Sequence, residues 1–302
     1  MAIYHCSVKT VSRSKGSSSC ASSAYRSSEK IKDHRTHIIY DYSRKKDVDH
    51  KEIIGFKGSR AELWNAAEQA EKRKDATVAR EYEVALPTTL SRENKIALAR
   101  DFGTWLHDRH GVAVDVCIHK INSPNPHVHI MTTTRQSLGS QLGEKVAREW
   151  SDTKRQKAGL NGRKFDLIEV REVWANKVNQ MLEREQHPDR VSHLSLREQG
   201  IDRVATIHVG HVASAMEMRG EVSERGEHNR QIIQTNQKEI ELGRDILVDS
   251  LALAREQFEQ HKQKIQMEQQ IKLAIEKQRQ LEQREKERSL RQEKGCSWGF
   301  EL

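Results

Sequence analysis

From Arg244 to Lys294 the chain carries neither proline nor glycine. Proline breaks a helix and glycine weakens one by about 1 kcal/mol, so a run of this length admits one continuous helix and little else. Its apolar residues Ile240, Leu247, Leu251, Ala254, Phe258 and Ile265 recur at spacings of three, four or seven, and Met267, Ile271, Ala274 and Leu281 resume in a shifted register. The stripe is narrow, and Gln, Glu, Lys and Arg fill the remaining positions. Residues 213–302 are therefore predicted to form a helical, charged extension, a long solvated helix or weak coiled coil that offers a route to self-association. All four prolines, Pro87, Pro124, Pro126 and Pro188, lie upstream of it. A globular core is accordingly expected within residues 1–212.

Charge narrows the partner. Lys and Arg total 52 against 44 Asp and Glu, for a formal charge of +8, a balance that favours polyanions, with nucleic acid first among them. No stretch approaches the roughly 18–20 apolar residues of a membrane span, and the start MAIYHCSVKTVSRSK lacks the apolar segment of a secretion signal. The expectation is a cytoplasmic protein without a membrane span. Cys6, Cys20, Cys117 and Cys296 are scattered, with no Cys-x-x-Cys pair, and read as reduced thiols rather than disulfides or zinc ligands.

The globular part reads as short strands alternating with capped helices. Strands are predicted at 2–9, 37–42, 80–86, 112–119 and 127–133, where β-branched residues or period-two alternation dominate. Ser59 and Glu62 have the spacing of a capping box that opens a helix to about Lys74. Further helices are expected at Ser91 to about Asp108, at about 143–151 and at 165–185. This order gives an α+β domain with a largely antiparallel sheet, helices on one face and the other face free for a ligand.

Three histidines stand out against that frame. His127 and His129 are two apart in a strand, so both leave the same face, and His119 ends the preceding strand on the face shared by Ala113, Asp115 and Cys117. A tight connection through KINSPNP would bring the imidazoles together as one face of a divalent cation's shell, with open positions for substrate oxygens. Glu81 and Glu83 alternate onto one face of REYEVAL, opposite Tyr82, Val84 and Leu86. If that face carries the histidines, either carboxylate could orient a ligand, take a proton or join the shell, and Asp115 competes for these roles.

A histidine-held cation in a basic protein points to phosphodiester chemistry, because the cation polarises a phosphoryl oxygen and balances charge in the transition state. Among five tyrosines, Tyr25 is the candidate nucleophile. It lies in GSSSCASSAYRSSEK, where small residues let a DNA backbone approach and Arg26 offers a phosphate contact. Tyr4 and Tyr82 alternate onto apolar strand faces, and Tyr40 and Tyr42 fall in a strand where burial is the default. A serine-rich stretch ordinarily reads as a loop. Residues 1–50 hold ten Lys or Arg against five Asp or Glu, and Arg13, Lys15, Arg26, Lys30, Lys45 and Lys46 are the candidate DNA contacts, with Lys32 and Arg44 beside them.

Taken together, these segments resemble the relaxase domain of the MobA/MobL family of plasmid mobilisation proteins, the MobQ class of HUH endonucleases. The likeness runs through AIYHCSVKTVSRSKG, SAYRSSEKI, YDYSRKKDV, ELWNAAEQAEKRKDATVAREYEVALP, VAVDVCIHKINSPNPHVHIMTTTR, WANKVNQMLE and LREQGIDRVATIHVG, in the family's order. It implies a five-stranded antiparallel sheet with flanking helices, a Tyr25 nucleophile, His119, His127 and His129 as metal ligands, and Glu81 and Glu83 at the paired acidic positions. Val204 and Ala205 stand where relatives commonly carry a proline. The implied activity is nicking of one strand at a plasmid origin of transfer through a 5′-phosphotyrosine bond, with religation after conjugative transfer. The implied cofactor is a divalent metal, manganese or magnesium first, with zinc, cobalt or nickel also fitting three histidines. Implied partners are single-stranded origin DNA, relaxosome accessory proteins and a type IV secretion coupling protein, in a bacterial cytoplasm and from a plasmid gene.

Two other readings fit parts of the pattern. A rolling-circle replication initiator shares the chemistry but places its tyrosine after the histidines, whereas Tyr25 precedes them. A noncatalytic DNA-binding or scaffold protein dominated by the tail helix predicts binding without a covalent adduct.

Overall fold

A computed structural model describes residues 3–296. Residue 2, the first of the expected opening strand, the segment 297–302 and the Cys296 side chain lie outside that description. The chain divides into two compact units, residues 1–195 and 196–302.

The first unit is built on a mixed-length antiparallel sheet. Its strands are β1 (Cys6–Ser12), β4 (Val48–Ile54), β5 (Thr77–Ala85), β6 (Val112–His119) and β7 (His127–Ser137), in the spatial order β1-β5-β7-β6-β4, with β8 (Leu142–Lys145) paired to the far end of β7. A separate hairpin joins β2 (Lys30–Lys32) to β3 (Ile39–Asp41). The helices are α1 (Ser19–Ser27), α2 (Arg60–Ala70), α3 (Arg92–His110), α4 (Asp152–Lys157) and α5 (Arg163–Arg184). Five antiparallel strands with flanking helices are therefore present, as the resemblance implies, but β4 takes the sheet position expected of the stretch 37–42, and β8 is an addition.

Alternation along the strands sorts two cores. Tyr82 and Val84 of β5, Val114, Val116 and Ile118 of β6, and Val128 and Ile130 of β7 face one way. They pack on Leu98, Phe102 and Leu106 of α3 and on Val170, Trp174, Val178 and Leu182 of α5. Ala79, Ala113 and Met131 face the other way, against Cys20 and Ala24 of α1 and Leu63, Trp64 and Ala67 of α2. The second face is thus covered too, contrary to the expectation of helices on one face only. The cause is α1, whose buried residues Ser19, Cys20, Ser23, Ala24 and Ser27 recur with helical period. These are small side chains that let the helix lie close to its neighbours, and two of their hydroxyls find partners there: Ser19 Oγ donates to Glu68 at 2.8 Å and Ser23 Oγ to Asp115 at 2.9 Å. Ser18 caps the helix through its side chain.

Other boundaries shift for identifiable reasons. The capping box of Ser59 and Glu62 forms as expected, but α2 ends at Ala70. Glu71 is drawn out of the helix by Arg135 at 2.9 Å and Lys145 at 3.1 Å. Residues 143–151 form β8 and a short 3-10 turn (Ala147–Glu149) instead of a helix. β7 runs on to Ser137, and the chain reverses at Gly139, whose φ of 80° suits glycine. Strand β4 has no counterpart among the expected elements, and of the stretch 37–42 only Ile39–Asp41 is strand.

In the second unit α6 (His211–Met218) leads to α7 (Glu224–Cys296), a helix of 73 residues, about 110 Å long at 1.5 Å per residue. Asn229 and Asn236 hold the backbone of Ile207 and Val204 by paired amide hydrogen bonds. The stripe residues Ile240, Leu247, Leu251 and Phe258 are all exposed, as expected for a solvated helix. Among the described residues no helix is long and apolar enough to cross a membrane. The described cysteines Cys6, Cys20 and Cys117 are free and buried.

Candidate active site

The end of the second sheet face beyond Met131 is where the chemistry-bearing residues gather. Register places His119 opposite His127 across β6 and β7, and Cys117 and Glu83 on either side of His129. One ring nitrogen from each of His119, His127 and His129 lies within 4.8 Å of the others. His129 Nδ1 is 2.8 Å from Glu81 Oε1, and His127 Nδ1 is 2.9 Å from the Asn125 carbonyl. With Nδ1–H donated to these acceptors, both rings keep the Nε2 lone pair for a cation. His119 has Nε2 2.7 Å from the Arg26 carbonyl and Nδ1 3.6 Å from Asp47 Oδ2.

Burial favours the neutral ring at two of the three histidines. It pushes the His119 ring down to about 4, against the opposing pull of the Arg26 carbonyl, and it lowers His127 in the same way against the Asn125 carbonyl. Three imidazoles gathered on one side of the sheet fit a divalent transition metal, and each is fixed by a partner of its own.

The two glutamates have separated roles. Glu81 is buried, and its carboxylate grips the Arg26 guanidinium with both oxygens at 2.5 Å while also meeting His129. Burial alone would raise this carboxyl, yet the hydrogen bonds from His129 and Arg26 outweigh it and hold Glu81 at about 2. Glu83, directly opposite His129, binds Lys9 Nζ at 2.7 Å at the open edge of the face. Asp115, the third candidate carboxylate, sits deeper. It is 2% exposed and accepts from Ser23, Arg60 Nε at 2.8 Å and Trp64 Nε1 at 2.8 Å. Its oxygens anchor α1 and α2 to the sheet.

Tyr25 stands on the last turn of α1, next to the Arg26 carbonyl that meets His119, and is 48% exposed. Tyr42 packs edge-on against its ring with centroids 5.3 Å apart, and Lys45 Nζ lies 3.9 Å from the ring centroid. Tyr42 is therefore exposed beside Tyr25, just past β3, and not buried in a strand as its sequence neighbours suggested. Tyr40 is half-buried, Tyr82 fully buried, and Tyr4 donates its hydroxyl to the Arg171 carbonyl at 2.9 Å.

The basic residues fall into two groups. Lys15, Lys30 and Lys46, with Lys32 and Arg44, are exposed, Lys30 with Asp41 3.7 Å away across the hairpin. Arg13, Arg26 and Lys45 are engaged within the protein: Arg13 with Glu68 and the carbonyls of Glu71 and Arg73, Arg26 with Glu81, Lys45 with Asp47. Asp47 and the Asn125 carbonyl are site components that sequence reasoning missed. The charged run RKKDVDH held the only signal for Asp47.

A model of the MobA/MobL family matches residues 17–219. "Mobilization protein MobL" of Acidithiobacillus ferridurans is 34% identical over 256 residues, 74% of this chain and 66% of that protein. "Conjugal transfer protein TraA" of Rhizobium radiobacter is 32% identical over 291 residues, 86% of this chain but 26% of that protein. The chain thus spans less than two thirds of the length of these relatives. A solved structure described as "Molecular Basis of Vancomycin Resistance Transfer in Staphylococcus aureus" superposes with a TM-score of 0.53 at 33% identity, covering 64% of this chain and 100% of that one.

Proposed function

The chain belongs to the MobA/MobL family, and from that premise we propose that it is a DNA relaxase that nicks one strand at a plasmid origin of transfer. The catalytic domain is residues 1–212, and 213–302 is a helical extension. The observation that carries this reading is the junction of His119 with α1: the carbonyl of the residue after Tyr25 lies 2.7 Å from an imidazole of the triad. An exposed tyrosine is thereby held on the helix that carries a backbone contact to the three-histidine cluster.

In the proposed reaction Tyr25 Oη attacks the scissile phosphorus, a new O–P bond forms, and the P–O3′ bond breaks. The 3′ oxygen leaves and takes a proton, the phenolic proton is lost, and a 5′-phosphotyrosine remains. Because a phosphodiester is exchanged for another of similar energy, a later 3′-hydroxyl can reverse the step and religate the strand. His119, His127 and His129 would hold the divalent cation, manganese or magnesium first, which when bound supplies a Lewis acid for a phosphoryl oxygen. Glu81 orients His129 and keeps Arg26 in place. Glu83, whose carboxylate binds Lys9, is the second acidic group proposed for the site, as a proton acceptor. Lys15, Lys30 and Lys46 present exposed charge to the DNA backbone. Origin DNA, relaxosome accessory proteins and a secretion coupling protein are the proposed partners, and the bacterial cytoplasm the proposed location.

The test is a covalent adduct. Single-stranded oligonucleotides tiling the DNA that flanks the coding sequence are incubated with protein and manganese and run on a denaturing gel. The unsubstituted protein forms an adduct with one of them, and Tyr25→Phe binds that oligonucleotide without forming it. An undiminished adduct in Tyr25→Phe moves the nucleophile elsewhere, and binding with no adduct in any protein favours the noncatalytic scaffold.

A further inference from the structure

Lys45 sits in the run Arg44-Lys45-Lys46, which reads as three equivalent phosphate contacts. The structure separates them. Arg44 and Lys46 are exposed, while the Lys45 side chain is 23% exposed and turned toward α1. Its ammonium lies 3.9 Å from the centroid of the Tyr25 ring, 3.3 Å from the Tyr25 carbonyl oxygen and 3.2 Å from Asp47 Oδ2. Three partners match the three donors of an ammonium group. The backbone N–H of Lys45 donates to the Tyr42 carbonyl at 3.0 Å, and Tyr42 N–H returns to the Glu29 carbonyl at 3.2 Å. One short turn therefore delivers both Tyr42 and Lys45 to the same ring.

We propose that Lys45 is a positioning residue for Tyr25: with Tyr42 it brackets the phenol ring, so that Oη is presented in one orientation. This rests on the reading of Tyr25 as nucleophile. Tyr25 is 48% exposed on a helix, and among the described residues no hydrogen bond engages its hydroxyl. A half-exposed tyrosine so placed samples several rotamers, and attack on phosphorus requires one. Tyr42 meets the ring at an interplanar angle of 89°, and the Lys45 cation sits on the ring face, where the quadrupole attracts it. Asp47 fixes the cation in turn and lies 3.6 Å from His119, so the bracket and the histidine cluster share one anchor.

The experiment compares Lys45→Met, Lys45→Gln and Lys45→Arg in the full chain, with circular dichroism confirming the fold. The probe is the oligonucleotide that the unsubstituted protein converts to adduct. At saturating oligonucleotide the single-turnover adduct rate falls about ten- to a hundredfold in Met and Gln, the scale of a misplaced reactive group. Arg recovers most of the loss, and oligonucleotide affinity and its salt slope stay at the unsubstituted values. Independently of DNA, 3-fluorotyrosine labelling gives a Tyr25 resonance, assigned by its loss in Tyr25→Phe, that moves toward the denatured-chain position in Lys45→Met and Lys45→Gln. An unchanged saturating rate, or an affinity loss in step with Lys46→Ala, overturns the bracket and returns Lys45 to the phosphate contacts. If Tyr25→Phe still forms adduct, the nucleophile assignment is what fails, whatever the resonance does.

Discussion

Oε1 of Glu81 lies 2.8 Å from Nδ1 of His129, and the same carboxylate grips Arg26 with both of its oxygens. One buried anion thus sets the orientation of an imidazole of the triad and the position of the last turn of α1, where Tyr25 stands.

Removing that charge should therefore loosen the metal. Glu81→Gln is expected to weaken manganese binding about 10- to 100-fold, the usual scale for a partner behind a ligating histidine. Titration calorimetry on the DNA-free protein reads this directly. Glu83→Gln, whose carboxylate binds Lys9 instead, should leave affinity nearly unchanged; equal losses in both variants would remove the distinction drawn between the two glutamates.

His127→Ala and His129→Ala should each abolish adduct formation while leaving oligonucleotide binding intact, and a chelator should do the same to the unsubstituted protein. Adduct that persists at full yield in chelator would reject the metal role.

Asp115 is a structural anchor. Its oxygens are the acceptors for Arg60 Nε and Trp64 Nε1 in a site that is 2% exposed. Asp115→Ala removes one of the two carboxylates on buried Arg60, leaving Glu29 at 2.7 Å, and strips Trp64 Nε1 of its acceptor, so it should cost about 2–4 kcal/mol, whereas Asp115→Asn, which keeps one acceptor, should cost less. Urea unfolding followed by tryptophan fluorescence measures both. A loss below 1 kcal/mol for the alanine variant would contradict the anchoring role.

Acid should destabilise the first unit through His110. Burial, reinforced by Arg109, holds this ring down at about 4, and its neutral Nε2 faces the Arg148 guanidinium at 3.3 Å. Between about 4 and the unfolded value near 6.5 the unfolded chain binds the proton that the folded one refuses. Stability is therefore full above about pH 7 and declines as pH falls through this window, by up to about 3 kcal/mol for this group at roughly 1.4 kcal/mol per unit. Melting temperatures recorded from pH 7 to 4 should fall less steeply for His110→Gln. Parallel profiles would assign the decline to other groups, His119 first.

DNA binding should respond to the exposed lysines differently. Lys30→Ala and Lys46→Ala should weaken oligonucleotide binding regardless of sequence, and each should flatten the logarithmic salt dependence by about 0.7. An unchanged slope would place these side chains away from the phosphates.

Much of the frame was legible because it rests on local periodicity. The two-residue spacing of His127 and His129, and the parity that puts His119 on their face, follow from alternation in any strand. The capping box of α2 and the uninterrupted tail helix follow from residue type and spacing in the same way. Helix α1 was readable in principle, since Ser19, Ser23 and Ser27 recur every four residues, but its stripe is small and hydroxylated instead of apolar and so read as loop. The segment 143–151 went the other way, since pairing of Leu142–Lys145 with β7 overrode its helical pattern.

What the sequence by itself determined is which residues share a face: the three histidines, Glu81 and Glu83, and the tail stripe. Only the tertiary structure decided which of those neighbours touch. Glu81 rather than Glu83 meets His129, Asp115 turns inward to Arg60 and Trp64, and Lys45 leaves its exposed neighbours to lie on Tyr25. The reason is physical. Alternation and helical period are properties of a few consecutive residues, whereas each of these contacts joins groups tens of residues apart, selected by how α1 and α2 pack on the sheet and by which buried charge needs a partner.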